Sequence, residues 1–512
     1  MKILKTFILL LPLLLLMMAC KKESPPQPDP ETTINIIKEN ITVNPSGYNP
    51  LSASIELELD KAAKINLTVL GQRGADSDLN HSFSDLNDVH TVPVFGLYAG
   101  IDNTVKLSFL NESNTVLGTK VYTIKTEPLI ADLPEIKIEV PYTGPKRADF
   151  TLVSYFGHNG INVPLRPFMF DQFGDIRWYL NYSEHPRLKH LFYDVGIEKL
   201  QNGNYYFANG ESDRIYEVDA FGLIVKTWDL PGFEHHHQVY EKPNGNFLVT
   251  VSKRGINTVE DHIVEVDRQL NTIINVWDLR QSLDYGRTAM TSNRSDWIHV
   301  NAIVFDESDQ TIILSGRSQG VVKLTAENEV IWILGNHKGW GNAGNGVDLN
   351  TKLLKPLDAN DQEIVDPEIL IGTKAHPDFD WNWYQHATKL MPNGHILLFD
   401  NGEGRYFANE LNYSRAVEYA IDKDHRTVKE IWSYGKERGS ETYSRIVSDV
   451  DFLEDDNRIV FSPGAINNGG KEFGKVVEID YANKQVLFEA TITPPISFFS
   501  ITFHRTERVK LY

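Results

Sequence analysis

His237 and His386 each stand six positions ahead of a Pro-Asn-Gly turn, in "HQVYEKPNG" and "HATKLMPNG", and His299 stands seven positions ahead of Asp306, which opens the equivalent turn, in "HVNAIVFDESDQ". Imidazole is the side chain that can act as nucleophile, acid, base or metal ligand near neutral pH. Asn301 lies two residues beyond His299, on the same face of an extended strand, and Arg317 ends the strand that follows. Histidines, an amide and a guanidinium aimed at one point suit a small tetrahedral anion, whose oxygens match forked and charge-assisted N–H donors. A metal competes, since neutral imidazoles bind Zn, Cu, Fe or Ni and His235 shares a strand face with His237. Against it, an arginine beside the cluster repels a cation and no carboxylate falls at a matched offset. His235 and His236 then read as loop neighbours.

One histidine on an inner strand is more often structural than functional, so the weight rests on the repetition. A hairpin followed by an aromatic recurs as "DQFGDIRW", "DAFGLIVKTW", "DRQLNTIINVW", "AENEVIW", "DKDHRTVKEIW" and "DYANKQVLF", ending at Trp178, Trp228, Trp277, Trp332, Trp432 and Phe488. The period is about 50 residues, the size of a four-stranded propeller blade, and one interval is doubled by an insertion running from "GNHKGWGNAGNGVDLN" to "DANDQEIVDPE". A second hairpin precedes the aromatic one in "LQNGNYYFA", "KPNGNFLVTV", "FDESDQTIILS", "MPNGHILLF" and "LEDDNRIVFS". Six units predict a six-bladed β-propeller over residues 141–512. The unit ending at Trp178 lacks an innermost strand, which "SFFSITFHRTERV" at the C-terminus is placed to supply. The first strand of a blade lines the central axis, so His237, His299 and His386 reach one mouth of the channel from three successive blades.

Residues 33–140 alternate apolar and polar in short runs such as "SASIELEL" and "NTVKLSFL", separated by turn clusters, and predict a small antiparallel β-sandwich. The fold class is therefore all-β, a propeller preceded by a sandwich. Ahead of both, "MKILKTFILLLPLLLLMMAC" has the layout of an export signal over residues 1–19, with an apolar run shorter than the roughly 20 residues of a membrane span. Cys20, the single cysteine, ends it, and this resembles the lipobox of bacterial lipoproteins, in which that cysteine is acylated. Residues 20–32, polar and proline-rich, read as a disordered tether. The expected location is an exported lipoprotein anchored in the bacterial cell envelope.

With 50 Lys+Arg against 69 Asp+Glu, the formal charge is −19, and without a basic stripe nucleic acid is an unfitting partner. "YGKERG" lacks the spacing of a phosphate-binding loop. Asp400, Asn401 and Arg405 in "FDNGEGR", with Arg415, read as setters of loops and outer strands, and Trp381, Trp383 and Tyr384 as either walls for an aromatic ring or core packing.

In their order, "NPSGYNPLSASIEL", "GLYAGIDNTVKL", "DWIHVNAIVFD", "QHATKL", "FDNGEGR", "YSRAVEYAID", "WSYGKERG" and "SRIVSDVDFLEDDNRIV" resemble the bacterial aryl sulfate sulfotransferases, periplasmic six-bladed propellers with an N-terminal β-sandwich. The resemblance implies that His386 attacks sulfur and carries the sulfuryl group as a sulfohistidine, while His237, His299, Asn301 and Arg317 grip the sulfate. It also implies a phenolic sulfate donor, a phenolic acceptor, no cofactor or nucleotide donor, and pairing into homodimers. On this reading His237 is the acid and base of a ping-pong cycle. Some members carry a disulfide near the active site, for which this chain has no cysteines. A sulfate-ester hydrolase, or a non-catalytic propeller that binds a sulfated or acidic glycan, are the competing functions.

Overall fold

A computed structural model of the chain describes residues 33–143, 149–158, 166–190, 197–208, 213–408, 413–467, 469–496 and 500–512. The expected signal, Cys20 and the tether lie outside the described residues.

The long strand Ala53–Val69 organises the N-terminal domain: its first half pairs with Ile36–Val43, its second half with Asp102–Leu110, and Leu79–Val94 runs antiparallel along it. Its side chains alternate buried and exposed over the whole length, as a strand with one face on a core must. Val116–Lys125 closes the edge. The boundary expected at residue 140 falls too late. Glu135–Val140 pairs with Val486–Thr493 on the outer edge of the last propeller sheet, so the chain has already crossed into the second domain.

Beyond that point the described residues form six antiparallel sheets in chain order. The first is completed by the C-terminal strand Ser500–Val509, which pairs with Phe150–His158 as its innermost member and so joins the two ends of the repeat array. In the inner hairpins of the third and fifth sheets the Pro-Asn-Gly turns put Gly245 and Gly394 at φ of 85° and 81°, a conformation that only glycine takes without strain. The insertion packs back on the fifth sheet, where Lys355–Leu357 adds a parallel strand to the outer edge at Thr427–Tyr434.

The recurring aromatic fastens one sheet to the next. The indole N–H of Trp178 donates to Ala220 O at 2.8 Å, Trp228 to Arg268 O at 2.9 Å, Trp277 to Thr325 O at 2.9 Å and Trp432 to Tyr481 O at 2.8 Å, in each case across to the outer turn of the following sheet. Each ring buries a large apolar area while its one polar atom is satisfied, which is why tryptophan is the residue repeated.

At the hub the linkage is polar. Gln238 Oε1 accepts from Ile303 N at 2.9 Å, Asn301 Nδ2 donates to Gln385 O at 2.9 Å, and Arg505 Nη2 reaches Asn301 O at 3.3 Å. These bonds tie the inner strands Phe233–Glu241, Val300–Asp306, His386–Leu390 and Ser500–Val509 at the level where the histidines sit.

Candidate active site

Each of those four inner strands breaks its ladder at the site. Pairing slips between His235 and Val239, between Val300 and Ala302, between His386 and Lys389, and between Phe503 and Thr506. His237 and His299 take φ of 53° and 57°, and Tyr384 and Ala387, which flank the third histidine, 52° and 49°. Bulges and left-handed residues cost energy and re-aim side chains, and four at one level of neighbouring strands turn the rings toward the axis.

The structure brings His237, His299 and Arg317 into one cluster. The rings of His237 and His299 lie 4.8 Å apart between centroids. Arg317 Nη2 and His299 Nδ1 share Asp296, at 3.4 Å and 3.0 Å. Asn301 is buried, with one amide hydrogen on the carbonyl of Gln385, the residue before His386, and its Oδ1 has no partner among the described residues. Arg317 keeps a buried Nε without a partner among the described residues, a donor in place for an oxyanion.

His386 is 1% exposed. Its Nδ1 contacts Asn401 Oδ1 at 2.8 Å and Tyr384 O at 3.1 Å. Asn401 cannot be turned the other way, because its Nδ2 donates to Ser444 O at 2.8 Å and Val447 O at 3.1 Å. Nδ1 therefore faces two acceptors and must carry the hydrogen, which leaves the lone pair on Nε2. Burial, then the charges of Arg317 and His504, hold this ring well below the usual histidine range, against the opposing pull of the Asn401 bond. It is neutral at pH 7.

His299 is the opposite case. Burial acts to lower it, but the charge of Glu260 and the hydrogen bonds of Asp296 and Glu260 raise it to about 9. Glu260 is the hub: its Oε2 lies 2.7 Å from His299 Nδ1 and 3.0 Å from His237 Nε2, and its Oε1 lies 3.2 Å from His236 Nδ1. Burial works to raise its own carboxyl, and the charges of His299 and His237 hold it well below the ordinary range instead. One buried carboxylate thus fixes the charge of His299 and occupies one nitrogen of His237.

The reading that discounted a cation needs correction on this point. No carboxylate falls at a matched offset in the sequence, yet Glu260 arrives from the loop after the next strand and Asp296 from the loop before His299. His236 is not a loop neighbour either, since it lies on the strand and touches Glu260.

Sequence reasoning missed four groups. Asn401 reads as a loop residue in "FDNGEGR" because its role depends on a strand 15 residues away. Glu260 and Asp296 lie at no repeated offset. His504, with its ring 5.3 Å from that of His237, comes from the closing strand, where no Pro-Asn-Gly turn follows to mark it. Of the three aromatics read as either walls or core packing, Trp381 and Trp383 are core residues at 1% and 0% exposure, while Tyr384 meets the site, its ring 5.8 Å from the Arg317 guanidinium.

The fold is thus an all-β propeller with a small sandwich in front of it, and imidazoles, a guanidinium and an amide gather where its inner strands begin. Residues 140–497 match Arylsulfotransferase (ASST), and residues 40–127 match the Arylsulfotransferase Ig-like domain. The chain belongs to the arylsulfotransferase family. It is 29% identical to arylsulfate sulfotransferase AssT of Escherichia coli O6:H1, over 88% of this chain and 90% of that protein. It is 30% identical to the protein of the same name from Lelliottia amnigena, with the same coverage. Among solved structures, virginiamycin B lyase from Staphylococcus aureus shares 11% identity at a TM-score of 0.31, covering 84% of this chain and 99% of that one.

Proposed function

We propose that this protein moves a sulfuryl group from an aryl sulfate ester to a phenol in two mirrored steps through His386. The observation that supports this most is the forced tautomer of His386: a buried, neutral imidazole with its Nδ1–H held and its Nε2 lone pair presented is a ready nucleophile. The family match and the two relatives support the substrate class.

In the first step the Nε2 lone pair forms an N–S bond, the S–O bond to the aryl group breaks, and its electron pair leaves on the phenolic oxygen. An unperturbed phenol has a pKa of about 10, so that oxygen gains from a proton donor. The sequence offers His237 for this role, and its Nε2 faces the same Glu260 carboxylate as His299. His299, clamped at Nδ1 between Glu260 and Asp296, carries the second ring proton and takes the role of acid. In the second step the acceptor phenol returns that proton to His299 as its oxygen attacks sulfur, and the N–S electron pair goes back to Nε2. Sulfuryl transfer resembles phosphoryl transfer in asking the protein mainly to place the group and stabilise its oxygens. Arg317 and His299 supply that positive field. Asn301 positions the strand entry at Gln385.

Three outcomes check this. Arg317→Ala should lower kcat on 4-nitrophenyl sulfate by about 100-fold, the usual loss on removing one donor to a developing negative charge. Asn401→Ala should cost tenfold to a hundredfold, roughly, since the ring loses the bond that fixes its tautomer. The acid side of the pH profile follows from the lowered His386. The active form is the deprotonated one, so kcat should hold as pH falls through 6.5, where an ordinary histidine would lose half its activity, and should decline only well below it. A midpoint at 6.5 would remove His386 from the nucleophile's role.

The proposal extends to location: an exported protein, acylated at Cys20 and tethered in the cell envelope, working as a homodimer. Mass spectrometry of the mature N-terminus checks the acylation.

A further inference from the structure

We propose that His236, His237 and Glu260 form a binding site for a divalent transition-metal ion, zinc foremost, and that the seated ion blocks sulfuryl transfer. The first half stands on geometry alone, and the second rests on the function proposed above.

Consecutive residues of a strand point to opposite faces, so His236 and His237 should not meet the same partner. They do here. The bulge between His235 and Val239, with φ of 53° at His237, turns both rings onto one carboxylate, and Glu260 is itself held at φ of 53°. Ser252 Oγ accepts from the Glu260 amide at 2.8 Å and the Glu260 carbonyl accepts from Val300 N at 2.9 Å, so the carboxylate is delivered from a fixed loop. His236 Nδ1 lies 3.2 Å from Glu260 Oε1 and His237 Nε2 lies 3.0 Å from Glu260 Oε2. The three ligand atoms fall within 4.8 Å of one another. Four-coordinate zinc, with ligands at about 2.0–2.2 Å, holds them roughly 3.4 Å apart, so only small shifts are needed.

The transfer chemistry has no use for His236. Its Nδ1 is shut off from solvent and, among the described residues, makes no hydrogen bond of sound geometry, although it lies beside a carboxylate oxygen. Two strained backbone positions therefore present a nitrogen that sulfuryl transfer leaves idle, in the two-histidine, one-carboxylate pattern that transition metals favour. Glu260, Asp296 and His299 form a second set within the same 4.8 Å limit and share the central carboxylate.

The surrounding charges select the kind of ion. Asp296 and Glu260 face Arg317 and His299, so carboxylates and cations nearly cancel and an ion held by charge alone gains little. What remains is affinity for imidazole nitrogen, which favours zinc, copper or nickel over magnesium or calcium. An ion seated here takes Glu260 from His299 and His237 together and sets a positive charge in the path of the donor's proton.

The test is metal counting on the full folded protein after dialysis against micromolar zinc, with transfer assayed in parallel. Wild type should retain about one zinc ion per chain and lose activity as zinc is added. His236→Ala and His236→Gln should transfer sulfuryl groups at the wild-type rate without metal, fail to retain zinc, and need at least about tenfold more zinc for the same inhibition. Calcium and magnesium should do neither. Wild type that retains no zinc, or His236 variants that hold and respond to zinc as wild type does, would overturn the site. Zinc that is retained at His236 without loss of transfer would overturn the blocking role. If the purified protein moved no sulfate at all, the metal count on wild type and the His236 variants would still decide the site.

Discussion

His386→Ala should leave no more than about one-thousandth of the wild-type rate of sulfuryl transfer from 4-nitrophenyl sulfate to an added phenol. His299 is poorly suited to take over, since the Glu260 and Asp296 carboxylates keep it protonated and without a nucleophilic lone pair. His386 combines a held Nδ1–H with a neutral ring. The same variant should form no covalent adduct, whereas wild type incubated with donor alone should gain one sulfuryl group that maps to His386 by mass spectrometry. Phenol release should rise on adding acceptor, which separates transfer from hydrolysis. A variant that kept a tenth or more of the rate would show that the attacking atom lies elsewhere.

Arg405→Ala should cost about 3–5 kcal/mol of stability, read as a shift of the urea midpoint at constant slope. Arg405 is fully buried, with Nη1 on Asp380 Oδ2 at 2.8 Å and Nη2 on Asp400 Oδ2 at 2.9 Å. Arg415 adds a 2.8 Å bond to the same Asp400 oxygen and a forked pair with Glu430 at 2.9 Å and 3.0 Å. Removing Arg405 leaves Asp380 buried with, among the described residues, only the hydroxyls of Tyr406 and Tyr413 on its Oδ2. Breaking a buried pair from one side costs more than the pair is worth, because the remaining charge has lost its compensation. Activity should fall as well. Asp400 Oδ1 accepts from Trp383 N at 2.8 Å and Gly402 N at 3.2 Å, so this carboxylate pins the chain on either side of the strand entry that carries His386 and of Asn401. Arg405→Lys, which cannot fork between two carboxylates, should recover only part of either loss. A midpoint shift worth less than about 1 kcal/mol would reduce the network to the value of a surface pair.

What the sequence determined by itself was set by local pattern. Alternation with period two makes the strands, Pro-Asn-Gly makes the inner hairpins, and an aromatic about every 50 residues makes the sheets countable. Those periodicities place His237, His299 and His386 at equivalent points of successive units, and with them the level at which a site must lie. The closing strand was legible for the same reason, since a unit short of one strand needs it from the other end of the chain.

The tertiary structure alone decided which nitrogen is free, which ring is charged and which is neutral. Those properties belong to pairs far apart in sequence: Asn401 with His386, Glu260 with His237 and His299, His504 with His237. No repeat carries them. They arise from bulges and left-handed residues whose cost only the packed hub repays, so a one-dimensional pattern has no means to signal them. The chain states where the histidines stand, and burial together with the neighbouring charges decides what each of them can do.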